Sequence, residues 1–295
     1  MKKPVFTGAA VAIITPMNAD GSVNYEELGR IMDDQIDHGT DAIVICGTTG
    51  ESPTLTDEEH TACIRYAVKQ AAGRVPVIAG TGSNDTKYAI WLSRQAQADG
   101  ADALLLVTPY YNKTSQAGLV AHYTAIANAV DLPCILYNVP SRTGCNLTPA
   151  SLGELAKLPN INAVKEASGN ISQVAEIAAA CGDELNIYSG NDDQIVPLLA
   201  LGGKGVISVL SNVAPQYTHD ICAKWFAGET QESLQMQLKA LPLCKALFAD
   251  VNPIPAKWAM NCLGWQAGAC RLPLVEPSAA VQAQLETAMR DFGLL

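Results

Sequence analysis

Residues 132–165 read LPCILYNVPSRTGCNLTPASLGELAKLPNINAVK: a short apolar run, a polar stretch, and a second apolar run that ends at a lysine. The two runs, 132–138 and 161–165, have the length and composition of buried strands. Between them, residues 148–158 space their apolar side chains with helical periodicity. This stretch therefore predicts a strand, a helix and a second strand in succession.

The same order repeats along most of the chain. Short β-branched runs recur about every 30 residues, and each is followed by a stretch with helical periodicity. The eight predicted strands are 9–14, 42–46, 75–80, 102–107, 132–138, 161–165, 185–189 and 205–210. The predicted helices include 57–72, 86–98, 115–129, 148–158, 171–181 and 192–201. Good N-caps precede three of them, at Thr56, Asp85 and Thr148.

The strands are apolar along nearly their whole length, which is typical of strands that are covered on both sides. Eight such strands alternating with helices predict an α/β protein with a closed parallel (β/α)8 barrel, the TIM barrel. A doubly wound open sheet is the alternative. The barrel, with an active site at the C-terminal ends of its strands, is predicted to span 1–224. Residues 225–295 show helical patterning and no strand pattern, so we expect a C-terminal helical appendix there.

Composition excludes several classes of function. A formal net charge of −10 repels nucleic acid and anionic membranes, so we expect neither as a partner. Apolar residues make up 48% of the chain and charged residues 16%, as in a compact enzyme with a large core. No window approaches the roughly 18 apolar residues of a membrane span.

The nine cysteines form no CxxC pair, so free thiols in a reducing compartment are expected. The four histidines show no HExxH or HxxxH spacing, and we expect no metal site and no cofactor. The first residues, MKKPVFTGAAVAIITP, resemble a secretion signal, but no small-x-small cleavage site follows and the run supplies the first strand. We therefore expect a cytoplasmic protein.

In (β/α)8 barrels the chemistry is collected at the C-terminal ends of the strands, and the opposite face serves stability. This rule selects the residues at or just after each predicted strand end. They are Thr48, Thr49, Tyr110, Tyr111, Tyr137, Arg142, Lys165, Gly190, Ile207 and Ser208.

Lys113 and Lys165 are the two lysines on this face. Lys113 lies in a polar loop and can stay hydrated, so Lys165 is the predicted nucleophile. A lysine amine attacks a carbonyl only when it is unprotonated, and burial at a barrel mouth can lower its pKa from roughly 10.4 by about three units. Tyr137, one strand away, could transfer protons during dehydration and enamine formation.

Each residue also has a simpler interpretation. The threonines after strand 2 could be turn hydroxyls that bond to the backbone, and the tyrosines after strand 4 could be packing aromatics. Lys165 could extend its amine to water, and Arg142 could be a solvated loop residue. Their convergence on one face of one barrel is what favours a shared active site.

Six segments carry a family resemblance, in chain order GTTGES, TPYYNK, YNVPSRTG, VKEASG, GGKGVIS and NPIPAKWAM. Together they resemble the dihydrodipicolinate synthase (4-hydroxy-tetrahydrodipicolinate synthase) family of the pyruvate-dependent class I aldolase superfamily. The resemblance runs nearly end to end. It implies a lyase that condenses pyruvate with L-aspartate 4-semialdehyde in lysine and diaminopimelate biosynthesis, and a homotetramer built as a pair of dimers.

The resemblance also implies roles for the matching residues. Lys165 would form an imine with pyruvate. Thr48, Tyr137 and Tyr111 would form a proton relay, with Tyr111 reaching in from a neighbouring subunit.

Substrate binding follows from the same resemblance. Thr49 would bind the carboxylate of pyruvate, and Arg142 would bind the carboxylate of L-aspartate 4-semialdehyde. Gly190 and Ile207 would line the pocket through backbone groups.

A possible effector site for L-lysine is also implied, at the dimer interface. The chain matches the sensitive pattern at Ser52, His60, Asn84 and Tyr110. It has Asp57 and Tyr88 where lysine-inhibited members typically have a histidine and a glutamate. Because the acid that would bind the effector's amine is missing, we expect weak or absent inhibition by L-lysine.

Two other functions stay open from the sequence. A sister aldolase such as an N-acetylneuraminate lyase would use the same lysine, although those enzymes usually carry a serine in place of Thr48 and lack the arginine at Arg142. A non-catalytic barrel that binds keto acids would hold pyruvate without forming a covalent bond.

Overall fold

The computed structural model describes residues 2–295 and shows eight parallel strands in a closed barrel. The strands are β1 Gly8–Ala12, β2 Ala42–Ile45, β3 Val77–Gly80, β4 Ala103–Val107, β5 Cys134–Asn138, β6 Ile161–Glu166, β7 Asn186–Ser189 and β8 Gly205–Ser208. Each strand pairs with the next along the chain, and β1 also pairs with β8, which closes the barrel. The predicted (β/α)8 fold is confirmed, and the open sheet is excluded.

The helices surround this barrel and continue beyond it. They are α1 Tyr25–Asp37, α2 Asp57–Ala71, α3 Thr86–Ala98, α4 Gln116–Ala127, α5 Pro140–Thr143, α6 Pro149–Leu155, α7 Ile171–Cys181, α8 Ile195–Ala200, α9 Pro215–Phe226, α10 Thr230–Leu247, α11 Ile254–Cys262 and α12 Ala279–Phe292.

The predicted caps are confirmed. The side chains of Thr56, Asp85 and Thr148 each accept a backbone N–H in the first turn of α2, α3 and α6. The helix predicted at 192–201 is shorter, because a 3-10 turn occupies Asp192–Gln194 before α8. Helices α1, α5 and α9 were not among the predicted segments.

Consecutive strand residues pack into two different apolar clusters. Val44 and Leu105 lie in the barrel interior, whereas their neighbours Ile43 and Leu104 pack in the layer between the barrel and the helices. Both faces of each strand are therefore buried, which explains why the strands are apolar throughout instead of alternating. Each fully buried Val, Leu or Ile side chain contributes about 1.5–3 kcal/mol relative to an exposed one.

The C-terminal helices are joined to the barrel at the end where the strands terminate. α10 packs against α9 and α12. In α11, the Lys257 amine donates a hydrogen bond of 2.8 Å to the carboxylate of Glu51, which lies in the turn after β2. The domain boundary predicted at residue 224 stays a prediction, since α9 runs across it.

No helix within residues 2–295 is long and apolar enough to cross a membrane. Over the same range, no three His, Cys, Asp or Glu side chains form a group that could hold a metal ion. All nine cysteines are free, and all but Cys262 and Cys270 are buried.

Candidate active site

The C-terminal ends of the strands open into a cavity of about 570 Å³. Residues at or just after the ends of every strand except β3 contribute to its wall, together with the short helix α5. Of the residues selected from the sequence, its lining contains Thr48, Thr49, Tyr137, Arg142, Lys165 and Gly190. Residues that lie up to 142 positions apart in the chain, from Thr48 to Gly190, therefore line one cavity.

Lys165 is the fifth residue of β6, and its side chain points into this cavity from an apolar wall. Only 6% of the residue is exposed. Burial lowers the pKa of its amine from 10.5 to about 8, with the buried Asp192 carboxylate raising it and the Arg142 charge lowering it further. About one amine in ten is then neutral at pH 7, so Lys165 can act as a nucleophile under ordinary conditions.

Tyr137 lies directly beside Lys165 in the barrel. The two residues are register partners on β5 and β6, and the Lys165 Nζ atom is 4.3 Å from the centroid of the Tyr137 ring. Burial raises the pKa of the Tyr137 phenol, while the Arg142 charge and the nearby Thr48 hydroxyl lower it. The phenol is therefore protonated at neutral pH and can give a proton to a group that forms on the amine.

Gly190 leaves room for the lysine at the end of β7. A Cβ atom at this position would lie 2.6 Å from the Cβ of Ala167 and 3.1 Å from the Cε of Lys165. Both contacts are shorter than normal van der Waals distances, so a larger residue would displace the amine. Glycine at 190 is thus favoured first by the close approach of Ala167 and then by that of Lys165.

Arg142 lies at the rim of the cavity, on α5, and is exposed. Its Nη2 atom donates a hydrogen bond of 3.3 Å to the backbone carbonyl of Asn252. The guanidinium makes no ion pair with any residue from 2 to 295. A cation with spare donors at a cavity mouth is suited to a carboxylate ligand.

Four residues selected from the sequence are not in the cavity lining: Tyr110, Tyr111, Ile207 and Ser208. Tyr111 is 92% exposed, in a loop where its backbone is left-handed with φ of 67°. Ile207 is fully buried among the side chains of the barrel interior. The phenol of Tyr111 therefore does not reach the cavity of its own chain.

The loop between α10 and α11 covers the cavity and was missed as a functional element. Five consecutive residues of this loop, 248–252, belong to the lining. They include two polar side chains, Asp250 and Asn252. The signal that could have found them is the late segment NPIPAKWAM, which begins at Asn252 and was used only for the resemblance.

A second cavity of about 570 Å³ adjoins the first and shares Thr48 and Arg142 with it. Of the residues proposed for an effector site, it is lined by Ser52, His60 and Tyr110, but not by Asn84. No acidic residue lines this cavity.

Two residues that depart from the sensitive pattern bond to each other beside this second cavity. Tyr88 lines it and donates a hydrogen bond of 2.6 Å to the Asp57 carboxylate, which is not part of the lining. The Asp57 carboxylate is therefore already engaged.

A (β/α)8 barrel that holds a buried lysine of lowered pKa beside a phenol, at the C-terminal ends of its strands, defines a lyase of the class I aldolase type. The model of the dihydrodipicolinate synthetase family matches residues 5–291. The chain belongs to that family.

Known proteins of this family resemble the chain over nearly its full length. A curated protein of Lachnoclostridium phytofermentans named 4-hydroxy-tetrahydrodipicolinate synthase is 58% identical over 292 residues, covering 99% of each chain. A solved dihydrodipicolinate synthase from Aquifex aeolicus superimposes with a TM-score of 0.95 at 43% identity, covering 98% of this chain and 99% of the other. The enzyme from Cyanidioschyzon merolae, solved with lysine bound, superimposes with a TM-score of 0.96 at 42% identity. This match covers 99% of this chain and 100% of the other.

Proposed function

We propose that this protein is a 4-hydroxy-tetrahydrodipicolinate synthase that condenses pyruvate with L-aspartate 4-semialdehyde through a Schiff base, within lysine and diaminopimelate biosynthesis. The observation that carries the proposal is the buried amine of Lys165, with a pKa lowered to about 8, facing the cavity beside Tyr137. Full-length similarity to enzymes of that name supports the choice of substrates.

The covalent chemistry begins at the Lys165 nitrogen. The neutral amine attacks the ketone carbon of pyruvate, and loss of water from the carbinolamine leaves a protonated imine. Loss of a proton from the methyl group gives an enamine, whose carbon attacks the aldehyde of the second substrate. The substrate's ammonium group then loses a proton, and the resulting amine attacks the imine carbon and closes the ring. Transfer of a proton to the Lys165 nitrogen lets it leave as the free amine.

Proton transfers accompany these steps. Tyr137 would protonate the departing hydroxyl of the carbinolamine and receive protons later. Thr48 belongs to the same cavity lining. Tyr111 is the third proposed member of this relay. Since its ring is 92% exposed on its own chain, it would have to enter the cavity of a neighbouring subunit.

That requirement supports an assembly of at least two subunits, and the homotetramer, a pair of dimers, is proposed from the family resemblance. Tyr110, the residue before Tyr111, is also exposed, at 36%, and lines the second cavity. A dimer contact through this loop would cover both rings and complete the relay, and the effector cavity would then lie at the same contact.

Substrate binding is proposed for the remaining residues. Thr49 would bind the pyruvate carboxylate and Arg142 the carboxylate of the aldehyde, with backbone groups of Gly190 and Ile207 shaping the pocket. The free thiols support a cytoplasmic location, because such thiols persist in reducing compartments.

The proposal is tested by trapping the imine. Borohydride added to the enzyme with pyruvate should reduce the imine to a stable amine, and peptide mapping should find the added mass on Lys165. Lys165→Ala should lose the trapped mass and most of the turnover while staying folded. Lys113→Ala, which removes the other lysine of this face, should still be labelled at Lys165.

A panel of aldehydes separates the related functions. Turnover with L-aspartate 4-semialdehyde supports the proposal, whereas trapping with a preference for a sugar acid would favour a sister lyase. Pyruvate binding without any trapped mass would contradict the Schiff-base mechanism and leave a keto-acid-binding barrel.

A further inference from the structure

The active-site cavity is lined by only three residues with ionisable charged side chains of the Lys, Arg, Asp or Glu type: Lys165, Arg142 and Asp250. Lys165 must be neutral to react. Arg142 thus supplies the positive charge of the cavity lining, and Asp250 supplies the negative charge. A pair of opposite charges at one cavity wall matches a ligand that carries both charges itself.

One of the two carboxylate oxygens of Asp250 is available to a ligand. It is half-buried in the loop between α10 and α11. Its Oδ1 atom accepts a hydrogen bond of 2.6 Å from the backbone N–H of Val251, which fixes the side chain. Within residues 2–295 the carboxylate forms no ion pair with a lysine, arginine or histidine. The second oxygen can therefore accept from a ligand.

Both charged residues belong to the lining of the same cavity. Arg142 donates to the backbone carbonyl of Asn252, 3.3 Å away, and Asp250 is two residues before Asn252. Two residues span at most about 7 Å of backbone, so the backbone of Asp250 lies near the carbonyl that the guanidinium contacts. The ammonium and carboxylate of an α-amino acid are attached to one carbon and would fit between them.

We propose that Asp250 binds the α-ammonium group of the aldehyde substrate while Arg142 binds its α-carboxylate, so that the cavity selects an α-amino acid aldehyde. This inference rests on the proposed function and adds the residue that recognises the amino group. The binding also places the substrate nitrogen on the side of the cavity covered by the α10–α11 loop.

Neighbouring acids are less suited to this role. Both backbone N–H groups of Val209 and Leu210 donate to Asp192, at 3.0 and 2.9 Å, and Asp192 does not line the cavity. Asp193 lines a different, adjoining cavity. Asp250 is therefore the acid that a substrate in the Lys165 cavity meets.

The test compares Asp250→Asn with the native enzyme on two aldehydes. The amide keeps the size of the side chain and its acceptor for Val251 but loses the charge. We expect the KM for L-aspartate 4-semialdehyde to rise at least about tenfold, the loss of one charge-assisted hydrogen bond, with the KM for pyruvate unchanged. Binding of 4-oxobutanoate, which lacks the amino group, measured as a substrate or competitor, should be unchanged or tighter.

Two further variants complete the design. Asp250→Glu keeps the charge and should restore much of the affinity for the amino aldehyde. Asp131→Asn removes an exposed acid at the opposite end of the barrel and should change neither KM, which controls for the total charge.

The outcomes separate this inference from the proposed function. An unchanged KM for the amino aldehyde in Asp250→Asn, or an equal loss for 4-oxobutanoate, would overturn the role of Asp250 while native turnover and trapping stand. A native enzyme that neither traps pyruvate nor turns over the aldehyde would overturn both.

Discussion

The side-chain amide of Asn252 donates a hydrogen bond of 2.9 Å to the hydroxyl of Thr49, 203 residues earlier in the chain. Both residues are buried, at 4% and 3% exposure. Since the carbonyl of Asn252 also accepts from Arg142, one residue of the C-terminal region touches both proposed carboxylate-binding groups. With its oxygen occupied as an acceptor, the Thr49 hydroxyl is free to donate its own proton into the cavity.

Asn252→Ala should therefore weaken pyruvate binding. The Thr49 hydroxyl loses the bond that orients it, and a hydrogen bond of this kind contributes about 1 kcal/mol, so we expect the KM for pyruvate to rise about fivefold. Steady-state kinetics at saturating aldehyde measure this. Asn261→Ala, which removes an exposed asparagine bonded to Gly268, is the matched control and should leave the KM unchanged. If the two variants had equal KM values for pyruvate, Asn252 would not position Thr49.

The rate of imine formation should depend on pH through Lys165. Because burial lowers the pKa of its amine to about 8, the neutral fraction rises about tenfold per pH unit below 8 and levels off above it. Rapid-mixing measurements of pyruvate trapping by borohydride-type reductants, at saturating reductant, give this profile. A rate that keeps rising up to pH 10.5, the ordinary pKa of a lysine amine, would show that the Lys165 amine is exposed to water and not buried.

Removing Lys257 should destabilise the whole protein. Its side chain is 2% exposed, and its amine lies 2.8 Å from the fully buried carboxylate of Glu51. Lys257→Met leaves that carboxylate without its cation, which we expect to cost about 3–5 kcal/mol of the free energy of unfolding, measured by urea denaturation.

Two comparisons show whether burial is the cause. Lys257→Met combined with Glu51→Gln should recover part of the loss, since no charge is left unpaired. Arg65→Met, which breaks the exposed pair with Asp99, should change stability little. A loss for Arg65→Met as large as that for Lys257→Met would contradict this explanation.

L-lysine should inhibit weakly or not at all. The second cavity has no acid in its lining, because Tyr88 stands at the position of the missing glutamate and holds the Asp57 carboxylate. Initial rates over a range of L-lysine concentrations measure the effect. Tyr88→Glu should increase sensitivity by giving the effector's amine a partner, and a submillimolar inhibition constant in the native enzyme would refute the expectation.

Much of the fold was accessible from the sequence because strands buried on both faces leave a strong local signal. The run ending at Lys165 is apolar and short, and β6 starts at the predicted residue Ile161. Helix α5 left no such signal, because four residues around Pro140 cannot show a helical period. Its position nevertheless decides where Arg142 stands.

The sequence by itself determined the barrel and the choice of Lys165, since both depend on apolar periodicity and on the rule that parallel strands end together at one face. Only the tertiary structure decided that Asn252 and Asp250 cover the cavity, that Lys257 pairs with Glu51, and that Tyr111 turns away from its own site. Those facts depend on contacts between segments about 200 residues apart, and on loops whose path is set by packing. No local pattern of side chains encodes such contacts.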